Sequence, residues 1–197
     1  MHALRGSPGT NMTFAGHKHT PSAMAGNYED ILITLTAASK TFNLAGCQNA
    51  FAILPDPEFH RRYDAYTGRM QVQSGNPFGY IAVEAAYRGG AAWLEQAKEI
   101  IGGNYLYAKD AFAKEMPAIR ISPLEGTYLM WVDFGEFLRP EEIKDFFQKK
   151  CRFAVDYGAW FKGNAGCHAR FNLATSRANV EKAVTTIIEN LKTEQER

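Results

Sequence analysis

The spacing of apolar and polar positions changes character along the chain. Ile31-Leu-Ile-Thr-Leu-Thr36 is a continuous apolar, β-branched run, and it predicts a buried strand. Phe51-Ala-Ile-Leu54 predicts a second, stopped by Pro55 and Pro57. Between them, Thr36-Ala-Ala-Ser-Lys-Thr-Phe-Asn-Leu-Ala-Gly46 reads as a loop with a short helical turn. From Pro57 to about Met70 the charges suit a surface helix. From Pro77 to Glu115 the spacing is helical, with Pro77 suited to a first helical position. Gly89-Gly90 and Gly102-Gly103 interrupt that pattern, so at least one break or kink is expected.

The last third alternates at shorter intervals. Ala118–Ile121 and Thr127–Phe134 predict strands, and Pro140–Cys151 an amphipathic helix with Ile143, Phe146 and Phe147 on one face. Phe153–Val155 and His168–Ala174 predict two further strands. Ser176 can cap a final helix whose stripe is Val180, Val184, Ile187, Ile188 and Leu191. Thr193–Arg197 reads as a polar, frayed tail, and Tyr128 and Trp131 as core aromatics. The implied organisation is an irregular head over 1–11, a first segment over 12–84 and a small α+β domain over 85–192. Two strands cannot make a self-sufficient sheet, so the first segment implies a larger sheet than this chain supplies.

Composition narrows the function classes. Of 197 residues, 22 are Lys or Arg and 21 Asp or Glu, giving a net charge of +1. That balance offers no electrostatic case for nucleic acid or an anionic membrane. No apolar run reaches the roughly 20 residues needed to cross a bilayer. The three cysteines, Cys47, Cys151 and Cys167, form neither a CxxC pair nor a zinc spacing, which fits a reducing cytoplasm. His17 and His19 would share a face of an extended segment, but no further ligand stands nearby, so no metal site is expected. Lys162-Gly-Asn-Ala-Gly166 could cradle an anion, although no helix is expected to follow it.

Lys40 follows a buried-type strand and sits among small residues, where an amine can meet a ligand at the mouth of a sheet. Schiff-base chemistry needs such an amine. A solvent-exposed lysine beside a turn has the same local signature, and spacing alone leaves both readings open. Arg170 lies on an alternating strand between Ala169 and Phe171. Its planar guanidinium could grip a carboxylate, or it could be a surface charge at a strand edge.

Thr34-Leu-Thr-Ala-Ala-Ser-Lys-Thr-Phe-Asn-Leu-Ala-Gly46 resembles the Schiff-base segment of class I/II aminotransferases, nearest their carbon–sulfur β-lyase branch. Phe14-Ala-Gly-His-Lys-His-Thr-Pro21 resembles the segment before it. Asn76-Pro-Phe-Gly79, Glu84-Ala-Ala-Tyr87 and Trp93-Leu94 resemble the entry to the interdomain helix. Glu125-Gly-Thr-Tyr-Leu-Met-Trp-Val-Asp133 and Arg170-Phe-Asn-Leu-Ala174 resemble strands of the small domain, and the Lys162–Gly166 loop the one ahead of the carboxylate arginine. These blocks follow family order over nearly everything after residue 11.

The resemblance implies an α/β fold: the C-terminal part of a fold-type-I enzyme dependent on pyridoxal 5'-phosphate (PLP), with a partial large domain and an α+β small domain. It implies that Lys40 holds the cofactor, that Ser39 helps bind its phosphate, and that Arg170 grips the substrate α-carboxylate. The implied reaction is β-elimination from cystathionine or a cysteine conjugate, yielding a thiol, pyruvate and ammonia, in a cytoplasmic homodimer. Transamination would use the same residues, and a non-catalytic remnant that folds onto a partner is the rival from another class.

Departures exist. In the family an aspartate that keeps the ring nitrogen protonated lies just upstream of the segment matching Met12–Pro21, yet Met1–Asn11 contains no Asp or Glu. Ala38 stands where proline is usual and Cys47 where a larger aliphatic residue is. The expectation is a truncated product or fragment, weak or inactive alone.

Overall fold

The computed structural model describes residues 12–14, 16–72 and 75–195. The head, Met1–Asn11, and the last two residues of the expected tail lie outside the described residues. The chain divides into two compact units, Met1–Glu95 and Gln96–Arg197.

In the first unit, strands β1 (Thr34–Thr36) and β2 (Phe51–Ile53) pair antiparallel, Leu35 opposite Ala52. They form a two-stranded sheet with no third member among the described residues. Both strands are shorter than their apolar runs. Ile31 is turned instead, its N–H donating to the Tyr28 carbonyl at 3.1 Å. The expected burial is absent: Leu35 is 74% exposed, Ile53 45% and Phe51 37%. Among the described residues no further strand or sheet covers these apolar strand faces.

Helix α1 (Pro57–Arg69) starts where Asp56 accepts a hydrogen bond from the Phe59 N–H at 2.6 Å. Helix α2 (Pro77–Gly89) starts where Asn76 accepts from Phe78 at 3.0 Å. Each has its proline at the first position, where the missing N–H costs nothing. The break comes at Gly90, and α3 (Ala91–Glu115) then runs unbroken through Gly102-Gly103. The difference between the two glycine pairs is packing. A Cβ on Gly90 would lie 2.5 Å from the Ala86 carbonyl oxygen and 2.6 Å from the Phe42 ring. At Gly103 it would meet only the flexible end of Arg177, while Ile101 and Asn104 beside it are buried.

The second unit holds a four-stranded antiparallel sheet in the order β3 (Arg120–Ile121), β4 (Leu129–Asp133), β6 (His168–Asn172), β5 (Asp156–Tyr157). Met130, Val132, Ala169 and Tyr157 are buried and point to one face. Phe134, Phe147, Phe153 and Phe171 interlock on that side with ring centroids 5.4–6.4 Å apart. Such edge and tilted contacts suit the quadrupoles of aromatic rings. Helix α5 (Arg177–Gln195) closes this core with the expected stripe, all five residues buried. Asn179 N–H donates to the Ser176 hydroxyl at its start, at 3.4 Å. The helix continues through Thr193 to Gln195, where a frayed tail was expected; Lys150 and Lys192 pair with Glu194 and Glu115 at 2.7 Å and hold that end.

Two further elements depart from expectation. Helix α4 (Pro140–Asp145) is short and continues as a π-helical stretch, Phe146–Cys151, which keeps both phenylalanines in the core. The strand expected at Phe153–Val155 begins later, at Asp156. Arg152 is left-handed (φ 59°), and Phe153 N–H donates to the Phe147 carbonyl at 3.2 Å, so Phe153 packs as part of a chain reversal. No helix among the described residues is long and apolar enough to cross a membrane.

Candidate functional site

In the first unit the Lys40 loop is pinned from below. Ala38, Thr41 and Phe42 are buried, Ser39 is half-buried and Lys40 is exposed. Phe42 N–H donates to the Ala38 carbonyl at 3.0 Å and Leu44 N–H to the Ser39 carbonyl at 2.9 Å. The loop therefore coils tightly around the lysine. Ala38, Phe42, Val83 and Leu94 form one cluster, with Leu44, Ala86 and Tyr87 packed against it. Phe42 meets Tyr87 edge-on at 5.9 Å and lies 6.0 Å from Trp93. These contacts fix the backbone and leave Lys40 exposed, with Ser39 half-buried before it in the chain. An exposed lysine on a fixed loop fits the aldehyde of PLP as far as this chain supplies the site.

In the second unit Arg170 lies on the sheet face opposite the aromatic core. Antiparallel register puts it directly opposite Trp131 on β4 and Asp156 on β5. Residues paired this way share a face. Its Nε and Nη2 both donate to Asp156 Oδ2, at 2.9 and 2.7 Å. Its guanidinium carbon sits 4.9 Å from the centre of the Phe161 ring, a cation–π contact. Trp131 meets Phe161 edge-on at 5.2 Å and stacks on His168 at 5.3 Å. Trp131 is thus a half-buried part of this face and not the core aromatic expected.

Phe161 reaches Arg170 from a loop that starts with a 3-10 turn, Gly158–Trp160. A Cβ on Gly158 would sit 1.8 Å from the Ala165 carbonyl oxygen, so only glycine lets the two ends of the loop approach. Lys162–Gly166 forms the rest of that loop, followed by β6 and no helix, and Gly163 is left-handed at φ 95°. Lys40 and Ser39 belong to the first unit and Arg170 to the second. Asp156 and Phe161 were not singled out from the sequence. An acidic residue between Val155 and Tyr157 in an apolar run was the available signal for the first. Among the described residues no group of three His, Cys, Asp or Glu could hold a metal ion.

No family model matches the chain. Over 180 residues it is 30% identical to cystathionine beta-lyase PatB of Bacillus subtilis, covering 90% of this chain and 46% of that protein. Its fold matches cystalysin of Treponema denticola, whose structure contains PLP, with a TM-score of 0.89 and 27% identity over 95% of this chain and 48% of that one. It matches a PLP-bound C-S lyase of Staphylococcus hominis, complexed with L-cycloserine, with a TM-score of 0.85 and 27% identity over 93% and 48%. The chain spans about half the length of the curated relatives it matches.

Proposed function

We propose that this chain, which has the fold of the C-terminal half of a fold-type-I PLP enzyme of the carbon–sulfur β-lyase branch, carries the amine and the carboxylate-binding arm of such a lyase. The observations behind this reading are, in the first unit, an exposed lysine on a pinned loop and, in the second, a guanidinium held by Asp156 and Phe161. When bound, PLP supplies an aldehyde and an electron-withdrawing ring. Lys40 Nζ would be the amine that holds that aldehyde and, as a free amine, the general base for the substrate Cα proton. Ser39 Oγ would donate to the cofactor phosphate. Arg170 would present two parallel N–H groups to the substrate α-carboxylate and fix that end of the molecule. The substrate is a sulfur amino acid such as cystathionine or a cysteine conjugate, and the products are a thiol, pyruvate and ammonia.

The reading extends to a cytoplasmic homodimer for the complete enzyme, with residues 12–84 as part of the PLP-binding domain and 85–192 as the small domain. The 197-residue chain by itself is expected to bind PLP weakly and to release little or no pyruvate. The test is incubation of wild type and Lys40→Ala with PLP, borohydride reduction and peptide mapping by mass spectrometry. Labelling concentrated at Lys40 and lost in the variant supports the reading. Uniform labelling of surface lysines, unchanged in the variant, removes the special role of Lys40.

A further inference from the structure

Arg170 could bind a carboxylate only if part of its guanidinium is not already engaged. A guanidinium has two forks, one formed by Nε and Nη2 and one by Nη1 and Nη2. Asp156 takes the first, receiving both N–H groups on a single oxygen, Oδ2. Phe161 lies over the plane. Among the described residues no other hydrogen bond engages this side chain, so the Nη1 donors are not taken by a protein acceptor. The Arg170 and Asp156 side chains are 32% and 39% exposed, so the pair stands at the surface and an incoming anion can reach it.

We infer that Asp156 is a positioning residue for the carboxylate arm. It holds Arg170 by the Nε edge against Phe161, so that the terminal fork faces outward, and its own charge moderates how tightly that fork binds an anion. This inference rests on the reading of Arg170 as the carboxylate-binding residue. The geometry has a built-in logic. Arg170 and Asp156 are directly opposed on adjacent strands, so the backbone ladder itself sets their approach. A long side chain held at its Nε cannot swing, and the entropy of fixing it is paid before any ligand arrives. Without Asp156 the ring of Phe161 would restrain the plane but not the rotation within it.

Two substitutions separate the orienting contact from the charge. Asp156→Asn keeps an oxygen that can accept from Nε and removes the charge. Asp156→Ala removes both. The experiment uses the full 197-residue chain, nitrogen-15 NMR of the arginine Nε–H signals, and titration with L-alanine as a monocarboxylate probe. The Arg170 Nε–H signal is expected to be protected from solvent exchange in wild type and Asp156→Asn and to exchange rapidly in Asp156→Ala. L-Alanine is expected to bind Asp156→Asn more tightly than wild type, and Asp156→Ala roughly three- to tenfold more weakly than Asp156→Asn, the scale of one partly exposed charge-assisted contact. Equal affinity of the two variants, or a protected Nε–H in Asp156→Ala, would overturn the inference. Arg170→Gln is the control for the underlying reading. If it leaves L-alanine binding unchanged, Arg170 does not bind the carboxylate, and the inference falls with that reading. If it weakens binding while the two Asp156 variants agree, only the role of Asp156 falls.

Discussion

The Cys151 thiol is pushed up to about 12, by burial first and against a smaller opposing effect of the nearby Lys150 charge. Only the thiolate is a good nucleophile, so a buried thiol with so high a pKa is inert at neutral pH. Cys167 is raised as well, by burial and then by the carboxylates of Asp133 and Glu141. With iodoacetamide at pH 8, Cys151 should be alkylated last and on the timescale of unfolding, as read by mass spectrometry of peptides. Rapid alkylation of Cys151 in the folded chain would contradict the core described for the second unit. Single residues were unevenly legible in the sequence. Lys40, Ser39 and Arg170 could be singled out because they fall in family-like blocks. Asp156 and Phe161 could not, because what makes them matter is register across strands and the reach of a loop, and neither is a local property of the chain.

Helix α4 offers a contrast between exposure and influence. Glu142 accepts from the Arg139 backbone N–H at 2.9 Å and from its guanidinium at 2.8 Å. The side-chain bond, then the backbone bond, lowers the Glu142 carboxyl from 4.5 to about 2. A depressed folded-state pKa means that the unfolded chain binds the proton more readily. The capping contribution is therefore complete above about 4.5 and is lost as pH falls toward 2. Glu142→Gln should reduce stability at pH 6, and the gap from wild type should close between pH 4.5 and 2 in urea unfolding curves. A gap that widens on acidification would refute this assignment. The α2–α3 break gives a second test. Gly90→Ala places a methyl group against the Ala86 carbonyl and the Phe42 ring, so it should cost about 1–3 kcal/mol in denaturant unfolding. It should also loosen the Lys40 loop, which Phe42 anchors.

Element types were legible where a physical period was long. The α5 stripe, the prolines opening α1 and α2, and one of the two glycine breaks all followed from local chemistry. Short strands were not. Phe153 is as apolar as a strand residue, but the left-handed Arg152 turns it into the core before β5 begins.

For the whole molecule, what was legible was the fold class, and the structure bears it out: the fold matches fold-type-I PLP enzymes over about half of their length. Also legible was that two strands leave the first unit short of a sheet, as the β1–β2 pair shows. Most of the interlocked aromatic core and the closing helix lie in the second unit. Limited proteolysis should therefore cut first within the first 75 residues and leave a fragment of roughly 85 to 192, since opening follows local packing. Early cleavage inside the sheet of the second unit, with the first 75 residues resistant, would overturn that division.

The β1–β2 hairpin has a consequence in terms of symmetry. Each of its two strands turns one side to its partner and the other to no strand among the described residues, and the faces carry Leu35 and Ile53. Two copies that join β1 to β1 about a twofold axis would still leave both β2 edges open. Two that join β1 to β2 would leave one of each. Neither arrangement closes, so strand addition here has no natural stopping number. Uncovered, the chain should grow with concentration into a broad range of sizes in light scattering. A covering polypeptide that occupies even one edge would convert that open series into a finite assembly.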